Sequence, residues 1–136
     1  MRNSQTAALD IAAIRAELGL TQAELADLLG VSLRTIQSCE QGWRQPSAAL
    51  EKTLLLHLMI SRRGAGLSEI RCWEHVQCSQ AAREACPGYR SGLGHLCWML
   101  TGNICCSRGE RVDDWEEKKA VCRECPFFRH LLREDD

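Results

Sequence analysis

Residues Thr21 to Gly42, TQAELADLLGVSLRTIQSCEQG, contain the clearest structural signals in the chain. Thr21 and Glu24 have the spacing of a capping box at the start of a helix, and leucines follow at helical intervals. Gly30 stands where a turn requires a positive φ, and Ser32 is placed to cap a second helix. The sequence therefore predicts two short helices joined by a glycine-containing turn. This is the helix-turn-helix arrangement, in which the second helix enters a DNA major groove.

Further helices are predicted on both sides of this stretch. Asp10 is a suitable N-cap for a helix that continues to Leu18, and Gly19 is a suitable stop. After a loop, Ser47 is expected to cap a fourth helical stretch. Its buried side is expected to consist of four leucines, Leu50, Leu54, Leu55 and Leu58. Both halves of the chain lack an α/β pattern, so the fold is expected to be mainly α.

The run from Leu20 to Ser47 resembles the DNA-binding domain of the Cro/C1-type (XRE) bacterial regulators. The motifs that carry the resemblance are Leu20-Thr21-Gln22, Glu24-Leu25-Ala26, Gly30-Val31-Ser32, Thr35-Ile36, Glu40-Gln41-Gly42 and Pro46-Ser47. The resemblance covers roughly residues 8 to 60 and implies a five-helix, lambda-repressor-like domain that binds double-stranded DNA. Such domains commonly act in pairs, so a homodimer is expected.

The resemblance also implies which side chains face the DNA. A recognition helix reads base edges from its outward positions, and here Arg34 can pair with guanine and Gln37 with adenine. Trp43 departs from the small polar or basic residue that is usual at its position. The candidate DNA-binding residues are Gln22, Ser32, Leu33, Arg34, Thr35, Gln37, Ser38, Trp43 and Arg44. The alternative is a protein-docking module in which these residues are simply solvated.

Cysteine usage divides the chain of 136 residues. Cys39 is the one cysteine before residue 67, and eight follow Gly66. The run RRGAG at residues 62–66 has the composition of a linker. We therefore expect an N-terminal domain over residues 1–61 and a small cysteine-rich domain of loops and short helices over residues 67–136. In that second domain, helices are expected at residues 79–85, from residue 113 to about 120, and from residue 126 to about 132, with a glycine-rich loop over residues 88–96.

The cysteine-rich part contains an internal repeat, because two Cys-Trp dipeptides each lead to a Cys-Pro dipeptide. It resembles the small bacterial "two-CW" cysteine-rich domain, on the dipeptides Cys72-Trp73, Cys86-Pro87, Cys97-Trp98 and Cys125-Pro126. In a reducing cytosol, clustered cysteines indicate metal ligands. The candidate ligands are Cys72, Cys78, Cys86, Cys97, Cys105, Cys122 and Cys125.

The choice of metal centre stays open at this point. Soft thiolates select zinc or an iron–sulfur cluster. Zinc modules normally pair two short Cys-x2-Cys units, and only Cys122 and Cys125 have that spacing, so an iron–sulfur cluster is favoured. A disulfide switch is a third alternative. His95 is expected at the surface, and the module's hydrophobic centre is expected from its aromatic residues, Trp73, Trp98, Trp115, Phe127 and Phe128.

Charge and hydropathy set further bounds. The net charge is −1, so the chain lacks the strong excess of basic residues expected of a protein whose whole surface binds DNA. The N-terminal sequence does not have the pattern of a signal peptide, and no apolar run approaches the ~18 residues of a membrane span. A cytoplasmic location is therefore expected.

Together these features predict a transcriptional regulator whose metal centre senses redox or metal state. The alternative is an adaptor or antitoxin-like interaction protein with a purely structural zinc-stapled domain. No nucleotide-binding loop and no base beside a nucleophile is recognisable, so an enzyme is not expected. Cys39 is expected to pack inward as a small hydrophobic residue.

Overall fold

The computed structural model describes residues 9–71, 80–105 and 110–134. It confirms a mainly helical fold, in which the described chain divides into one compact unit that ends at Ser61 and another that begins at Arg62. None of the helices in these ranges combines the length and the apolar character that a bilayer span requires.

Four described helices lie wholly or mostly in the first unit, and each begins at its predicted cap. Their bounds are α1 Ile11–Leu18, α2 Gln22–Leu29, α3 Leu33–Glu40 and α4 Ala48–Arg63. Asp10 caps α1 through Oδ1, which accepts from Ala13 N at 3.0 Å. Gly19 and Gly30 follow α1 and α2 at φ 72°, a left-handed conformation that glycine adopts without a Cβ penalty.

The capping box at α2 is confirmed. Thr21 Oγ1 accepts from Glu24 N at 3.1 Å, and a Glu24 side-chain oxygen accepts from Thr21 N at 2.9 Å. The hydrogen bond from the Thr21 backbone N–H to the Glu24 carboxylate, and then the Thr21 side chain, lower the pKa of Glu24. Ser47 caps α4 as predicted, with its Oγ accepting from Leu50 N at 3.1 Å.

The hydrophobic core of the first unit is built from one apolar face of each helix. Its buried members are Ile11, Leu25, Ala26, Ile36, Leu50 and Leu54. The four leucines predicted on the inner side of α4 are all buried. From Ala48 to Arg63 the chain forms one continuous helix, α4.

The expected linker at residues 62–66 is helical instead. Arg62 and Arg63 complete the last turn of α4, and a 3-10 helix occupies Gly64–Glu69. The two arginines are held by the C-terminal segment of the second unit: Arg62 Nη1 donates to the Leu132 carbonyl at 2.6 Å, and Arg63 donates to the His130 carbonyl. The glycines alone therefore did not make the segment a flexible connection.

The described part of the second unit consists of short helices and one two-stranded antiparallel sheet. The helices are α5 Gln80–Ala85, α6 Pro87–Ser91, a 3-10 helix Gly94–Leu96, α7 Cys97–Leu100, α8 Trp115–Glu124 and α9 Pro126–Leu131. Strands β1 Ile104–Cys105 and β2 Glu110–Arg111 pair Ile104 with Arg111. The chain thus folds back on itself in this segment.

Two predictions for this unit were wrong in detail. Most of the expected glycine-rich loop at residues 88–96 is helical, because Pro87 begins α6 instead of only ending the helix before it. The helix capped by Asp114 runs to Glu124, beyond the expected end near Ala120.

The predicted aromatic centre is confirmed for its described members. Trp98, Trp115, Phe127 and Phe128 are all buried, and the ring centroids of Trp98 and Phe128 lie 5.7 Å apart in an edge-to-face arrangement. Trp73 and Ser79 lie outside the described residues.

Candidate functional site

The start of α3 is fixed by its serine cap. Ser32 Oγ accepts from Thr35 N at 3.1 Å and lies 2.9 Å from Thr35 Oγ1. Ile36 is fully buried and orients the helix, so that Arg34 and Gln37 lie on the exposed side. This arrangement presents a guanidinium and an amide, the two groups that recognise guanine and adenine edges, on one accessible surface.

The other candidate positions on α3 differ in exposure. The Leu33 side chain is 42% exposed at the first position of the helix. Thr35 and Ser38 are half-buried, and the Ser38 carbonyl accepts the Trp43 N–H at 3.0 Å. The outer surface of α3 is therefore formed mainly by Leu33, Arg34 and Gln37.

The turn after α3 holds Trp43 and Arg44 beside the helix. Gly42 has φ 80°, and its N–H donates to the Cys39 carbonyl while Trp43 N–H reaches Ser38, so the turn is closed by two backbone hydrogen bonds. Trp43 is 81% exposed on this fixed turn. Arg44 Nη1 donates to Thr35 Oγ1 at 3.4 Å, which places its guanidinium near the first turn of α3.

Glu40 is the last residue of α3, and its side chain links three helices. Arg15 Nε from α1 donates to Glu40 Oε2 at 2.6 Å, Arg15 Nη2 donates to Oε1 at 3.1 Å, and Gln22 Nε2 from α2 donates to Oε1 at 3.0 Å. The hydrogen bond from Arg15 lowers the pKa of Glu40, burial opposes this effect, and the Gln22 amide adds to the lowering. Gln22, one of the candidate DNA-binding residues, thus has its amide oriented by Glu40 and retains a second N–H.

Cys39 packs as predicted against the core of the first unit. Burial raises the pKa of its thiol. It therefore belongs to the support of α3 and not to its exposed surface.

The described cysteines of the second unit lie at the starts and ends of short elements. Cys86 and Cys125 each precede a proline that begins a helix, and their backbones are alike, with φ/ψ of −82°/120° and −79°/124°. The internal repeat therefore has a structural counterpart in two equivalent Cys-Pro corners. Cys97 begins α7, Cys105 ends β1, and Cys122 lies buried near the end of α8.

These cysteines do not by themselves assemble the predicted metal centre. No disulfide joins the described ones. In the described ranges, no three Cys, His, Asp or Glu side chains are grouped as metal ligands. Cys72 and Cys78, also predicted as ligands, lie outside the described residues.

A buried ammonium organises the segment between Cys97 and Cys105. Lys118, on α8, is 2% exposed, and its Nζ donates to Thr101 Oγ1 at 2.8 Å and to the carbonyls of Gly102 and Ile104. This role was not predicted from the sequence, because a lysine in a helix is normally solvated. The ammonium therefore donates to one carbonyl of the turn after α7 and to one carbonyl of β1.

His95 was wrongly expected at the surface. It is 8% exposed, burial lowers its pKa, and its Nδ1 has no hydrogen-bond partner in the described part of the chain. The 3-10 helix that contains His95 leads directly into α7, where the Trp98 Nε1 donates to the His95 carbonyl at 3.1 Å. His95 lies between a glycine and a leucine, and this short run has no helical or strand spacing of apolar residues that would predict a buried side chain.

Comparison with known proteins agrees with the geometry of the first unit. A helix-turn-helix family model matches residues 11–50, which include α1 to α3 and the start of α4. The comparisons with curated proteins and with solved structures give no match. The first unit is therefore a helix-turn-helix domain, the class of domain that typically serves DNA-binding regulators and not catalysis.

Proposed function

We propose that this protein is a sequence-specific DNA-binding transcriptional regulator. The observation that carries the proposal is the exposure of Arg34 and Gln37 on α3, in a helix-turn-helix domain whose family model matches residues 11–50. In this proposal α3 enters the major groove, where Arg34 reads guanine and Gln37 reads adenine. Leu33 contacts a thymine methyl group.

The residues around α3 are assigned to the DNA backbone. Arg44 and Trp43 flank the helix on a fixed turn, and the N–H groups at the start of α2 beside Gln22 suit a phosphate. Ser32, Thr35 and Ser38 complete the surface. Two copies of the chain would supply two recognition helices for a two-fold symmetric operator.

The test is a selection of bound sequences from random double-stranded DNA, followed by affinity measurements on the selected site. Arg34→Ala is expected to cost about 1–3 kcal/mol on that site and to relax the preference at one base. Arg90→Ala, at an exposed arginine of the second unit, is the charge-matched control and is expected to bind like the unmodified protein. Equal losses for both variants, or no enriched sequence, would contradict the proposal.

We further propose that the cysteine-rich unit binds a metal centre through thiolates, with an iron–sulfur cluster favoured over zinc. The donor chemistry supports this, since five described cysteines lie outside any disulfide in one small unit. Cys86, Cys97, Cys105, Cys122 and Cys125 are the described residues that would hold it, and Cys72 and Cys78 are the further candidates. Bound metal would supply folding energy to the unit, so gain or loss of metal would couple to its stability.

The regulatory role follows as part of the same proposal. A change in the metal centre would alter DNA affinity, which makes the protein a sensor of redox or metal state in the cytoplasm. Metal analysis and visible absorbance of anaerobically purified protein distinguish iron–sulfur from zinc. If DNA affinity is the same for the reduced, the oxidised and the metal-stripped protein, the metal has a structural role only.

A further inference from the structure

The Glu40 carboxylate is fixed in place by Arg15. Arg15 donates to both of its oxygens, from Nε to Oε2 at 2.6 Å and from Nη2 to Oε1 at 3.1 Å, and this two-point pairing restricts rotation of the carboxylate. Arg15 also donates from Nη1 to the Leu20 carbonyl at 3.1 Å. The Glu40 side chain is 8% exposed, and the hydrogen bond from Arg15 lowers its pKa, so the carboxylate is charged at neutral pH.

This carboxylate determines which end of the Gln22 amide faces it. A carboxylate only accepts hydrogen bonds, whereas a glutamine amide has an NH2 group that donates and a carbonyl oxygen that accepts. Gln22 Nε2 accordingly faces Glu40 Oε1 at 3.0 Å, which uses one of its two N–H groups. Gln22 is the half-buried first residue of α2, and no other hydrogen bond engages its side chain in the described part of the chain.

We propose that Glu40 is a positioning residue for DNA binding: it holds the Gln22 amide so that an N–H, and not the carbonyl oxygen, is presented to a phosphate of the DNA backbone. The inference rests on the proposed regulator function and deepens it, because it assigns a role in DNA binding to an almost fully buried residue. An N–H donates to a phosphate, whereas a carbonyl oxygen in the same place would repel it. Arg15 neutralises the carboxylate, so that Glu40 does not itself repel the phosphate.

The predicted effect of Glu40→Gln is opposite in sign to the effect of charge alone. The substitution removes a negative charge, which by itself favours binding to a polyanion. It also introduces an amide that both donates and accepts, and such a group does not dictate which end of the Gln22 amide faces it. We therefore expect Glu40→Gln to bind the selected duplex about fivefold or more weakly, the size of one hydrogen bond. Asp27→Asn, which removes an exposed negative charge from α2, is the control and is expected to bind at least as tightly as the unmodified protein.

A double-mutant cycle separates positioning from a general loss of structure. DNA affinity of the full chain is measured for the unmodified protein, Glu40→Gln, Gln22→Ala and the double variant, at a temperature where circular dichroism shows that each is folded. If Glu40 acts through Gln22, then Glu40→Gln should have little further effect once Gln22→Ala has removed the amide. An equal loss with and without the Gln22 amide would show that Glu40 only supports the helices, and would overturn the proposal.

Single methylphosphonate groups, each of which removes the charge of one phosphate, locate the contact on the DNA. They are placed at each phosphate of the selected duplex in turn. At one position the unmodified protein should lose more affinity than Glu40→Gln and Gln22→Ala do, because both variants already lack the contact to that phosphate. A profile for Glu40→Gln that matches the unmodified protein at every phosphate would contradict the proposal.

A measurement on the unmodified protein keeps the test decisive if Glu40→Gln does not fold. The two side-chain N–H protons of Gln22 give separate NMR signals. When the selected duplex is added, one of these signals should shift, while the signal of the proton bonded to Glu40 should change little. Gln22 signals that do not respond to the duplex would overturn the proposal.

Two negative results have different meanings. If no sequence is selected and the unmodified protein does not bind DNA, the regulator function fails and the positioning role fails with it. If the unmodified protein and Glu40→Gln bind the selected duplex equally tightly, the positioning role alone is refuted.

Discussion

Replacing Glu40 by glutamine tests how the helix-turn-helix domain is held together. Glu40→Gln preserves size but removes the charge that accepts two hydrogen bonds from Arg15 and one from Gln22. Hydrogen bonds to charged groups contribute about 1.5–3 kcal/mol. The Glu40 side chain is only 8% exposed, whereas Arg15 is 24% exposed and regains some water when its partner is changed. We therefore expect the free energy of unfolding of this domain to fall by about 2 kcal/mol.

The stability difference between Glu40→Gln and the unmodified protein should also depend on pH, in a direction that follows from the pKa of Glu40. The pKa of Glu40 is lower in the folded protein than its ordinary value of 4.5, so the carboxylate stabilises the fold above that value. The contribution is lost as the pH falls through 4.5 towards the folded pKa. Since Glu40→Gln has no such carboxylate, the stability difference between the two proteins should narrow on acidification.

Hydrogen exchange measured by mass spectrometry on peptides from α1 to α3 is the suitable assay, because it reports the unfolding free energy of this unit separately. Asp27→Asn, at an exposed carboxylate of α2, is the control and is expected to change stability by no more than about 0.5 kcal/mol. Equal protection in Glu40→Gln and the unmodified protein near pH 7 would refute the reasoning. So would a difference that persists unchanged at pH 3.5.

Four further predictions follow from single residues. Lys118→Met should lower the free energy of unfolding of the second unit by about 2 kcal/mol, because partly buried acceptors lose a charged donor, and denaturant titration that shows no loss would contradict this. Ser32→Ala should cost about 1 kcal/mol through loss of the cap of α3, measured by hydrogen exchange, with Ser32→Thr largely restoring it. Trp43→Ala should weaken specific and non-specific DNA binding alike while leaving stability unchanged, since the ring is 81% exposed; an altered base preference would argue against a backbone contact. Cys39 should react with iodoacetamide more slowly in the folded than in the urea-unfolded protein at pH 8, because burial raises the pKa of its thiol, and mass spectrometry that finds equal rates would count against its packing.

Helix ends in the first unit were predictable because their determinants are local. The side chains of Asp10, Thr21 and Ser32 each bond an N–H three residues away, and Gly19 and Gly30 adopt a backbone conformation that other residues avoid. Such interactions involve residues close in sequence. A capping side chain or a glycine at a helix end therefore acts in the same way wherever the helix lies in the fold.

Prediction was less accurate in the second unit, because several of its features depend on residues that are far apart in the sequence. Pro87 is compatible both with the end of one helix and with the start of the next, and the structure uses it as a start. The segment at residues 62–66 contains two glycines, yet Arg62 and Arg63 are bound by carbonyls nearly 70 residues later in the chain. Composition could not reveal partners so far away.

Local signals were sufficient to predict the helix-turn-helix domain and the outward-facing side chains of α3, because capping, glycine conformation and helical periodicity act over three or four residues. The hydrogen bonds of Glu40 with Arg15 and Gln22 and the burial of Lys118 are visible only in the folded protein. Each of these depends on which distant groups meet. A side chain's type does not specify its partner until packing has brought the two together.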